Sequence, residues 1–448
     1  MSFDPHRIPL DRAAAIALRE RGLEYRLLDA KDTDALTRWV RADFRGFHQA
    51  RPHAGELDAQ RRVFGERRLQ GVYDPASADP DFPVATVSGW PTGLSMPGGR
   101  SIDAWAVSSV TVAPTHRRRG IARALMEAEL ANARAAGAAV AVLTATEATI
   151  YGRFGYAPAA RAATLEIDRS RVHWTGRDAP GRCHLVEPAS LAADAPAVAR
   201  RAVARTAGEI DRWPGLLDHV LGLVDPESES ARHIRAVRYD DERGQAQGFA
   251  TYRVRREPDR PGVLEVGFFA AATDDAERAM WRVLCEHDFI TRVRAPLRSV
   301  DEPISWLVED PRAISFHEVG DHLWVRVLDP VAALAGRRFG GPGSLVLEVR
   351  DPLGHAAGSF EVEADGEGRP EVRRLDGADA ATASSGRRNR RQHGIGLGVQ
   401  ELGSILLGGV RPTTLGRAGR ISEHARGSLA LADRLFAAER EPLLSIWF

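Results

Sequence analysis

Hydrophobic and polar positions change their spacing repeatedly along the first third of the chain, which predicts strands and helices in alternation. Apolar residues alternate or run together in the predicted strands, at 23–28, 84–90, 104–112 and 139–144. They recur every three or four positions in the predicted helices, at 11–21, 33–44 and 121–136. A segment rich in glycine and proline, 91–99, is predicted to be the turn between two of the strands.

A second segment repeats the order of elements seen in the first. Strands are predicted at 249–254 and 263–269, and a helix is predicted at 275–287. This order matches the strand, turn and helix of residues 104–136, although no residue-level repeat is visible. We therefore interpret the second segment as a degenerate structural duplicate of the first.

A third segment begins near Asp321 and has its own strand and helix signals. Its predicted strands are 323–328, 345–349 and 358–363, and its predicted helices are 331–335, 399–407 and 428–438. Residues 378–398 lack apolar periodicity and are predicted to form a surface loop. The predicted organisation is an N-terminal extension followed by three domains, at 1–22, 23–160, 161–320 and 321–448.

Composition excludes several classes of protein. Of the 448 residues, 61 are Lys or Arg and 61 are Asp or Glu, so the chain lacks the basic excess of a general nucleic-acid binder. Its two cysteines, Cys183 and Cys285, are too far apart in sequence for a thiolate zinc motif and too few for a disulfide scaffold. The histidines show no ligand spacing, so no metal site is expected. Neither a membrane span nor a secretory signal is apparent, and we expect a cytoplasmic protein.

The segment 109–122, SVTVAPTHRRRGIA, is the most informative in the chain. A predicted strand enters a short basic loop that opens a predicted helix. The first turn of a helix offers unpaired N–H groups and a partial positive charge, and Gly120 permits close approach of a ligand to the backbone. Arg117, Arg118 and Arg119 add positive charge, so the segment is predicted to bind a pyrophosphate. His116 could bond a phosphate or only pack within the loop.

A second motif, IYGRFGY, occupies residues 150–156 after the strand that ends at Thr144. The phenol of Tyr151 is protonated at neutral pH because its ordinary pKa is about 10, so it could protonate a departing thiolate. The alternative is that Tyr151 and Tyr156 are packing aromatics.

Both motifs resemble those of GNAT acetyltransferases, and with the three-domain layout the chain closely resembles the Eis (enhanced intracellular survival) family of N-acetyltransferases. The resemblance implies an α+β fold of tandem GNAT domains, the second degenerate, followed by a sterol-carrier-protein-like domain, assembled as a homohexamer. It implies acetyl-CoA as co-substrate, with no metal. The implied coenzyme-binding residues are Val110, Thr111, Val112, Arg117, Arg118, Arg119, Gly120, Ile121, Ala122, Arg123, Thr146 and Glu147.

The resemblance also assigns the proton transfers. Tyr151 would be the proton donor, and the terminal carboxylate of Phe448 would be the proton acceptor for the attacking amine. The chain ends in an apolar run, residues 442–448, which is unlike a loose terminus and is expected to dock in the cleft of the first domain. An alternative is that this tail caps the core of the third domain.

The second domain is expected to bind no coenzyme. The loop after its strand contains neither arginine nor glycine, and Asp274 and Asp275 would repel a pyrophosphate. A basic cluster at 387–391 is interpreted as a solvated insertion, and the third domain as structural rather than lipid-binding.

The acceptor is expected to be a small-molecule primary amine of aminoglycoside type or a related amine. Five arginines between 41 and 62 argue against a strongly cationic acceptor, and Asp43, Glu56 and Asp58 offset them only in part. Two alternatives remain open: acetylation of protein lysines or N-termini, and a non-catalytic acyl-CoA sensor or lipid-binding protein. Neither a nucleic acid nor a membrane is expected as a partner.

Overall fold

The computed structural model describes residues 4–256, 261–375 and 393–448. The chain divides into two compact units that do not follow sequence order. The first unit comprises Met1–Ala159, Leu323–Ala438 and Phe448, and the second comprises Ala160–His322 and Glu439–Trp447. Most of the segment predicted as a third domain, Leu323–Ala438 and Phe448, is thus grouped with the first one.

The described residues form these α-helices: α1 (Arg12–Arg19), α2 (Thr33–Gly46), α3 (Ala54–Phe64), α4 (Ile121–Ala135), α5 (Ala148–Tyr151), α6 (Ala195–Ala204), α7 (Leu216–Val220), α8 (Glu229–Arg232), α9 (Asp274–Cys285), α10 (Pro330–Ala335), α11 (Val399–Leu406), α12 (Pro412–Arg417) and α13 (Ser428–Phe436).

The strands are β1 (Glu24–Leu27), β2 (Arg68–Tyr73), β3 (Ala85–Ser95), β4 (Ser101–Val112), β5 (Val140–Thr144), β6 (Ala157–Asp168), β7 (Arg182–Val186), β8 (Arg235–Asp240), β9 (Ala246–Arg255), β10 (Gly262–Ala271), β11 (Ile290–Arg298), β12 (Ile314–Val327), β13 (Gly343–Arg350), β14 (Gly358–Ala364), β15 (Pro370–Leu375), β16 (Gly394–Gly398) and β17 (Ser422–Glu423).

The main sheet of the first unit has the order β1-β2-β3-β4-β5 followed by the last part of β12. Strands β1 to β4 pair antiparallel with their neighbours, and β4 pairs parallel with β5. Helix α4 connects these two parallel strands, as a crossover requires. Residues Leu323–Val327 of β12 pair antiparallel with β5, so a segment distant in sequence completes the main sheet.

Strands β4 and β5 separate after a short paired stretch. Their pairing covers Ala104–Ala106 of β4 and Val140–Val142 of β5, whereas β4 continues to Val112. A register shift opposite Thr86 and Ser88 produces a bulge at Ser109, which has a left-handed φ of 57°. The backbone of β4 beyond Val107 therefore has no partner on the β5 side, and a V-shaped opening results.

The second sheet of the first unit contains residues from the predicted third domain. Its order is β15-β14-β13-β16-β17, and β13 pairs antiparallel with β14 and parallel with β16. The predicted surface loop at 378–398 is wrong for Gly394–Gly398, which is a mostly buried strand. Its glycines allow Ser422 and His424 to approach the backbone closely, so the segment shows little apolar period. Residues 376–392 lie outside the described part of the chain.

The sheet of the second unit repeats the central order of the first. It runs β11-β10-β9-β8-β7, with the latter part of β6 antiparallel beside β11. Strands β9 and β10 form an antiparallel pair, and α9 connects β10 to the parallel strand β11. The predicted duplicate of strand, helix and strand is therefore present in the fold.

Two differences from the sequence prediction affect the first unit. The predicted turn at 91–99 is largely strand, because β3 extends to Ser95 and pairs with β4 up to Ser101. Pro91 is exposed and lies beyond the part of β3 that pairs with β2, so its missing N–H removes no hydrogen bond to that strand. Helix α3 and strand β2 were not predicted; α3 begins at a capping box between His53 and Glu56.

A buried arginine on β12 links three parts of the first unit. The Arg326 guanidinium donates to the Phe154 carbonyl at 2.7 Å and to both Asp351 carboxylate oxygens at 2.9 and 2.8 Å. Burial alone would raise the pKa of Asp351, but hydrogen bonds from Arg326 and two backbone amides hold that pKa below its ordinary value. Removing one partner of such a buried pair leaves the other charge uncompensated in the core, which strongly destabilises the fold.

We expect Asp351→Asn to lower the free energy of unfolding by about 3–5 kcal/mol, because it leaves the Arg326 charge buried without a counter-ion. Urea denaturation followed by tryptophan fluorescence measures this loss. Since the pKa of Asp351 is depressed in the folded state, the loss should be fully present above about pH 4 and shrink as the pH falls further.

The matched control is Glu367→Gln, which breaks an exposed pair with Arg369 and should change stability by no more than about 0.5 kcal/mol. Equal effects of the two substitutions would contradict a special role for the buried pair.

Candidate active site

The V-shaped opening between β4 and β5 leads to the start of α4. Gly120 occupies the N-cap of this helix with φ of 74°, and no side chain caps the first turn. The N–H groups of Ile121, Ala122 and Arg123 therefore have no intrahelical acceptor. The Ile121 side chain is buried in the core, so only its backbone is available to a ligand.

The three loop arginines differ in their surroundings. Arg117 and Arg118 are exposed, and Arg118 has a left-handed φ of 61°. Arg119 donates to the Arg21 carbonyl at 2.9 Å and lies 3.8 Å from an Asp74 carboxylate oxygen. Arg117 and Arg118 are thus free to face an anion, whereas Arg119 also fixes the loop to neighbouring chain segments.

His116 packs within the loop. Both ring nitrogens are occupied, Nδ1 by the Thr115 hydroxyl at 2.8 Å and Nε2 by the Asp74 carboxylate at 2.9 Å. The hydrogen bond from His116 is the main cause that holds the pKa of Asp74 below its ordinary value. Of the two roles considered for His116, this geometry favours loop packing.

Tyr151 lies at the end of α5, just beyond β5, and is buried in the core of the first unit. Burial raises the pKa of its phenol, and a hydrogen bond with Thr146 opposes that rise only in part. The group is therefore protonated at neutral pH. Thr146 and Glu147 are exposed beside it, and the Glu147 charge raises the same pKa.

Gly155 of the second motif has a structural explanation. Its φ is +84°, and a Cβ there would lie 2.6 Å from Arg326 Nε. The same turn is held by Gln400, whose side-chain amide donates to the Gly152 carbonyl at 2.7 Å. The turn that carries Tyr151 is therefore fixed by residues from far along the chain.

Phe448 lies in the first unit, near the end of β5. A terminal oxygen of Phe448 accepts a hydrogen bond from the Thr144 hydroxyl at 3.4 Å. Its ring makes an edge contact with Trp90 on β3, with centroids 5.7 Å apart. The carboxylate of Phe448 and the Tyr151 phenol thus both lie beyond the end of β5.

Residues Glu439–Trp447 are grouped with the second unit, and only Phe448 is grouped with the first. The tail was predicted to dock in the cleft of the first domain or on the core of the third, and neither prediction named the second unit. Leu443 donates its N–H to the Ala207 carbonyl at 2.9 Å, and the Ile446 carbonyl bonds His322 Nε2 at 2.9 Å. Leu443, Leu444 and Ile446 are buried, as an apolar tail suggests, whereas Trp447 is 59% exposed.

Asp43, Arg67 and Trp90 form a buried group that the motifs did not reveal. Ser109 at the β4 bulge bonds the Asp43 carboxylate, but Asp43 Oδ1 has no hydrogen-bond partner among the described residues. Burial raises the pKa of Asp43 to about 6 and lowers that of Arg67 to about 9. The Arg67 guanidinium lies 3.8 Å from the centre of the Trp90 ring. The only sequence signal for this group is that Asp43 falls, by helical spacing, on the same face as the apolar residues Trp39 and Val40 of α2.

Comparison with known proteins agrees with this geometry. Residues 24–159 match one acetyltransferase (GNAT) domain model, residues 208–327 match a second, and residues 330–445 match a sterol carrier protein domain. An uncharacterized N-acetyltransferase of Streptomyces coelicolor is 35% identical over 94% of this chain and 98% of its own length. The N-acetyltransferase Eis of Mycobacterium tuberculosis is 33% identical over 77% of this chain and 81% of its own.

The chain belongs to the Eis family of N-acetyltransferases. The crystal structure of Eis1 from Mycobacterium abscessus superposes with a TM-score of 0.77 at 27% identity, covering 95% of this chain and all of that one. A GCN5-related N-acetyltransferase from Kribbella flavida shares the fold, with a TM-score of 0.71 at 21% identity. The expected family and fold class, tandem GNAT domains followed by a sterol-carrier-like domain, are confirmed.

The second GNAT domain of this Eis-family chain places acids where the first has arginines. Asp274 and Asp275 lie in the first turn of α9, and Asp274 is paired by Arg205 and Arg440. Residues from the tail, among them Arg440 and Leu443, line the groove beside this helix start. That this domain binds no coenzyme stays a prediction.

Other chemistry finds little support among the described residues of this Eis-family protein. Burial raises the pKa of Cys183 to about 11 and that of Cys285 to about 12, so neither is a ready thiolate nucleophile. Within 4–256, 261–375 and 393–448, no group of three His, Cys, Asp or Glu side chains is arranged to hold a metal ion. No helix in those ranges is long and apolar enough to cross a bilayer.

We expect Asp43→Asn to change how stability depends on pH. The folded pKa of about 6 exceeds the ordinary value of 3.8, so the folded wild type holds a proton that the unfolded chain releases. Wild-type stability should therefore fall, relative to the variant, by roughly 3 kcal/mol between pH 4 and pH 7. Urea denaturation across this range measures the difference.

Asp34→Asn, an exposed change on the same helix, serves as the control and should run parallel to wild type. A parallel curve for Asp43→Asn as well would show that the Asp43 carboxyl is not perturbed.

Proposed function

We propose that this protein transfers the acetyl group of acetyl-CoA to a primary amine in a ternary complex, without an acyl-enzyme. The observation that carries the proposal is the position of two groups beyond the end of β5. Thr144, the last residue of that strand, bonds the Phe448 terminal oxygen at 3.4 Å, and the Tyr151 phenol follows seven residues later. This supports the proposal that Phe448 is the proton acceptor and Tyr151 the proton donor, since both follow the end of β5 at the opening between β4 and β5.

The residues around this opening suit acetyl-CoA. The backbone of Val110, Thr111 and Val112 pairs with no described residue on the β5 side, and groups facing that side can bond the amide-bearing pantetheine arm. The free N–H groups at the start of α4 and the exposed Arg117 and Arg118 suit a pyrophosphate. When bound, acetyl-CoA supplies an activated thioester.

Two residues move protons in this mechanism. An amine arrives mostly as an ammonium ion and must lose a proton before it can attack, and the Phe448 carboxylate accepts that proton. Tyr151 donates its phenolic proton to the departing sulfur, since its raised pKa keeps it protonated. Thr146 holds the Tyr151 hydroxyl in place through a hydrogen bond.

The acceptor amine is proposed to lie near Asp43. One oxygen of this carboxylate has no hydrogen-bond partner in the described part of the chain, and an ammonium group at the β4 bulge would satisfy it. The nearby arginines oppose a cation less than their number suggests, because Arg61 pairs with Asp58 and Arg45 lies over the Phe82 ring. An aminoglycoside-type polyamine, as the Eis resemblance implies, is therefore a suitable acceptor.

The resemblance to Eis further supports a homohexamer as the assembly, and sedimentation analysis of the purified chain would test it.

We expect Tyr151→Phe to lower kcat by about 10²–10⁴-fold, the range of a lost general acid, with little change in coenzyme affinity. Thiol release from acetyl-CoA across an aminoglycoside, a polyamine, a lysine peptide and an arylalkylamine measures this effect and identifies the acceptor.

Tyr156→Phe is the matched control, since the buried Tyr156 hydroxyl has no hydrogen-bond partner among the described residues and its ring lies 6.4 Å from that of Tyr151. No loss in Tyr151→Phe, or an equal loss in Tyr156→Phe, would contradict the donor role. If no amine turns over although the coenzyme binds, the chain is a sensor rather than an enzyme.

Extending the chain by three residues after Phe448 should abolish turnover, because it converts the terminal carboxylate into an amide. Coenzyme binding, measured by calorimetry, should persist. Phe448→Leu keeps the carboxylate and should retain most of the turnover, although it loses the edge contact with Trp90. Activity in the extended chain would refute Phe448 as the proton acceptor.

A further inference from the structure

A groove lies beside the contact between α1 and α4 in the first unit, next to the basic loop. It has a volume of about 490 Å³, within the range of small-molecule sites. Helix α1 and the residues around it contribute Asp11, Ala17 and Arg21, and the α4 side contributes Gly120 and Arg123. The helix α1 precedes residues 24–159, the range that matches the GNAT domain model.

The chain holds Arg21 against the start of α4. Arg21 Nη1 donates to the Ala17 carbonyl at 2.6 Å, and the Arg21 carbonyl accepts a hydrogen bond from the Arg119 guanidinium at 2.9 Å. The Arg21 guanidinium lies 3.3 Å from the point where a Cβ on Gly120 would be. The N-terminal segment therefore adds a fourth arginine to the loop that already contains Arg117, Arg118 and Arg119.

The charges at this end of the groove are unbalanced. Arg21 and Arg123 are exposed, and neither forms an ion pair with a described residue. Arg119, in contrast, already lies beside Asp74. Two guanidinium groups without a counter-ion at the mouth of a cavity suit a phosphate, which each of them can bind through paired N–H donors.

We propose that this groove binds the 3′-phosphoadenosine half of the coenzyme, with Arg21 and Arg123 on the 3′-phosphate. The inference rests on the proposed function. A pyrophosphate at Gly120 has two substituents, and the pantetheine arm takes the side of β4. The adenosine must leave on the other side, and the groove begins there, at Gly120.

The remaining lining fits a nucleoside. Ala13, Ala17 and Leu353 supply apolar surface for a base, and the exposed Glu127 carboxylate can accept a hydrogen bond from an amino or hydroxyl group. The N-terminal segment thereby has a role in selecting coenzyme A.

Calorimetric titration with coenzyme A and with 3′-dephospho-coenzyme A tests the inference. Wild type should bind coenzyme A the more tightly. Arg21→Ala should weaken coenzyme A about 10–100-fold, the range for a hydrogen bond to a charged group, and leave the dephospho form unchanged. Arg19→Ala removes the same charge from an exposed site on α1 outside the groove, and should change neither affinity.

A second pair of variants tests the groove itself. Ala17→Phe fills it and should weaken both ligands alike, whereas Ile16→Phe, at an exposed neighbour outside the groove, should weaken neither. The inference fails if wild type binds both ligands equally, or if Arg21→Ala and Ala17→Phe behave as wild type. Wild type that binds neither ligand would instead overturn the proposed function.

Discussion

The first unit of this protein depends on the buried charge of Arg326. A guanidinium without water is costly, and here the Asp351 carboxylate and the Phe154 carbonyl satisfy it. The arginine lies on β12, and its two partners come from the loop after β13 and from the turn that carries Tyr151. Removing any one leaves a polar group unsatisfied in the core, so the position of the phenol is tied to the presence of the sterol-carrier-like domain.

This coupling gives the third segment a task that requires no lipid. Gln400 of this segment donates a hydrogen bond to the Gly152 carbonyl. Asp351 neutralises Arg326, whose side chain lies close to Gly155. A GNAT domain reduced to residues 23–160 would lack both supports, as well as the strand beside β5. The third segment thus fixes the turn that carries Tyr151, rather than being an addition to a finished domain.

The sequence predicted the residues of the candidate site better than it predicted the distant residues that hold them in place. SVTVAPTHRRRG and IYGRFGY are local strings, so their residue types and order predicted the basic loop, α4 and the position of Tyr151. Arg67 and Arg326 escaped prediction, and Asp43 was noted only for its charge, because their importance arises from burial, which depends on segments far apart in the chain. The position of the tail could not be predicted for the same reason, because its hydrogen-bond partners Ala207 and His322 are distant in sequence.

The pairing of β5 with Leu323–Val327 also sets an order for synthesis. Residues 1–160 leave the ribosome long before their last strand is made. At about 5–20 residues per second, roughly 10–30 s separate the two events. During that interval β5 is an apolar strand with an open edge, which invites pairing with other chains. The interrupted order of this fold therefore makes the speed of translation, and the chaperones that meet the nascent chain, part of how the enzyme reaches its active form.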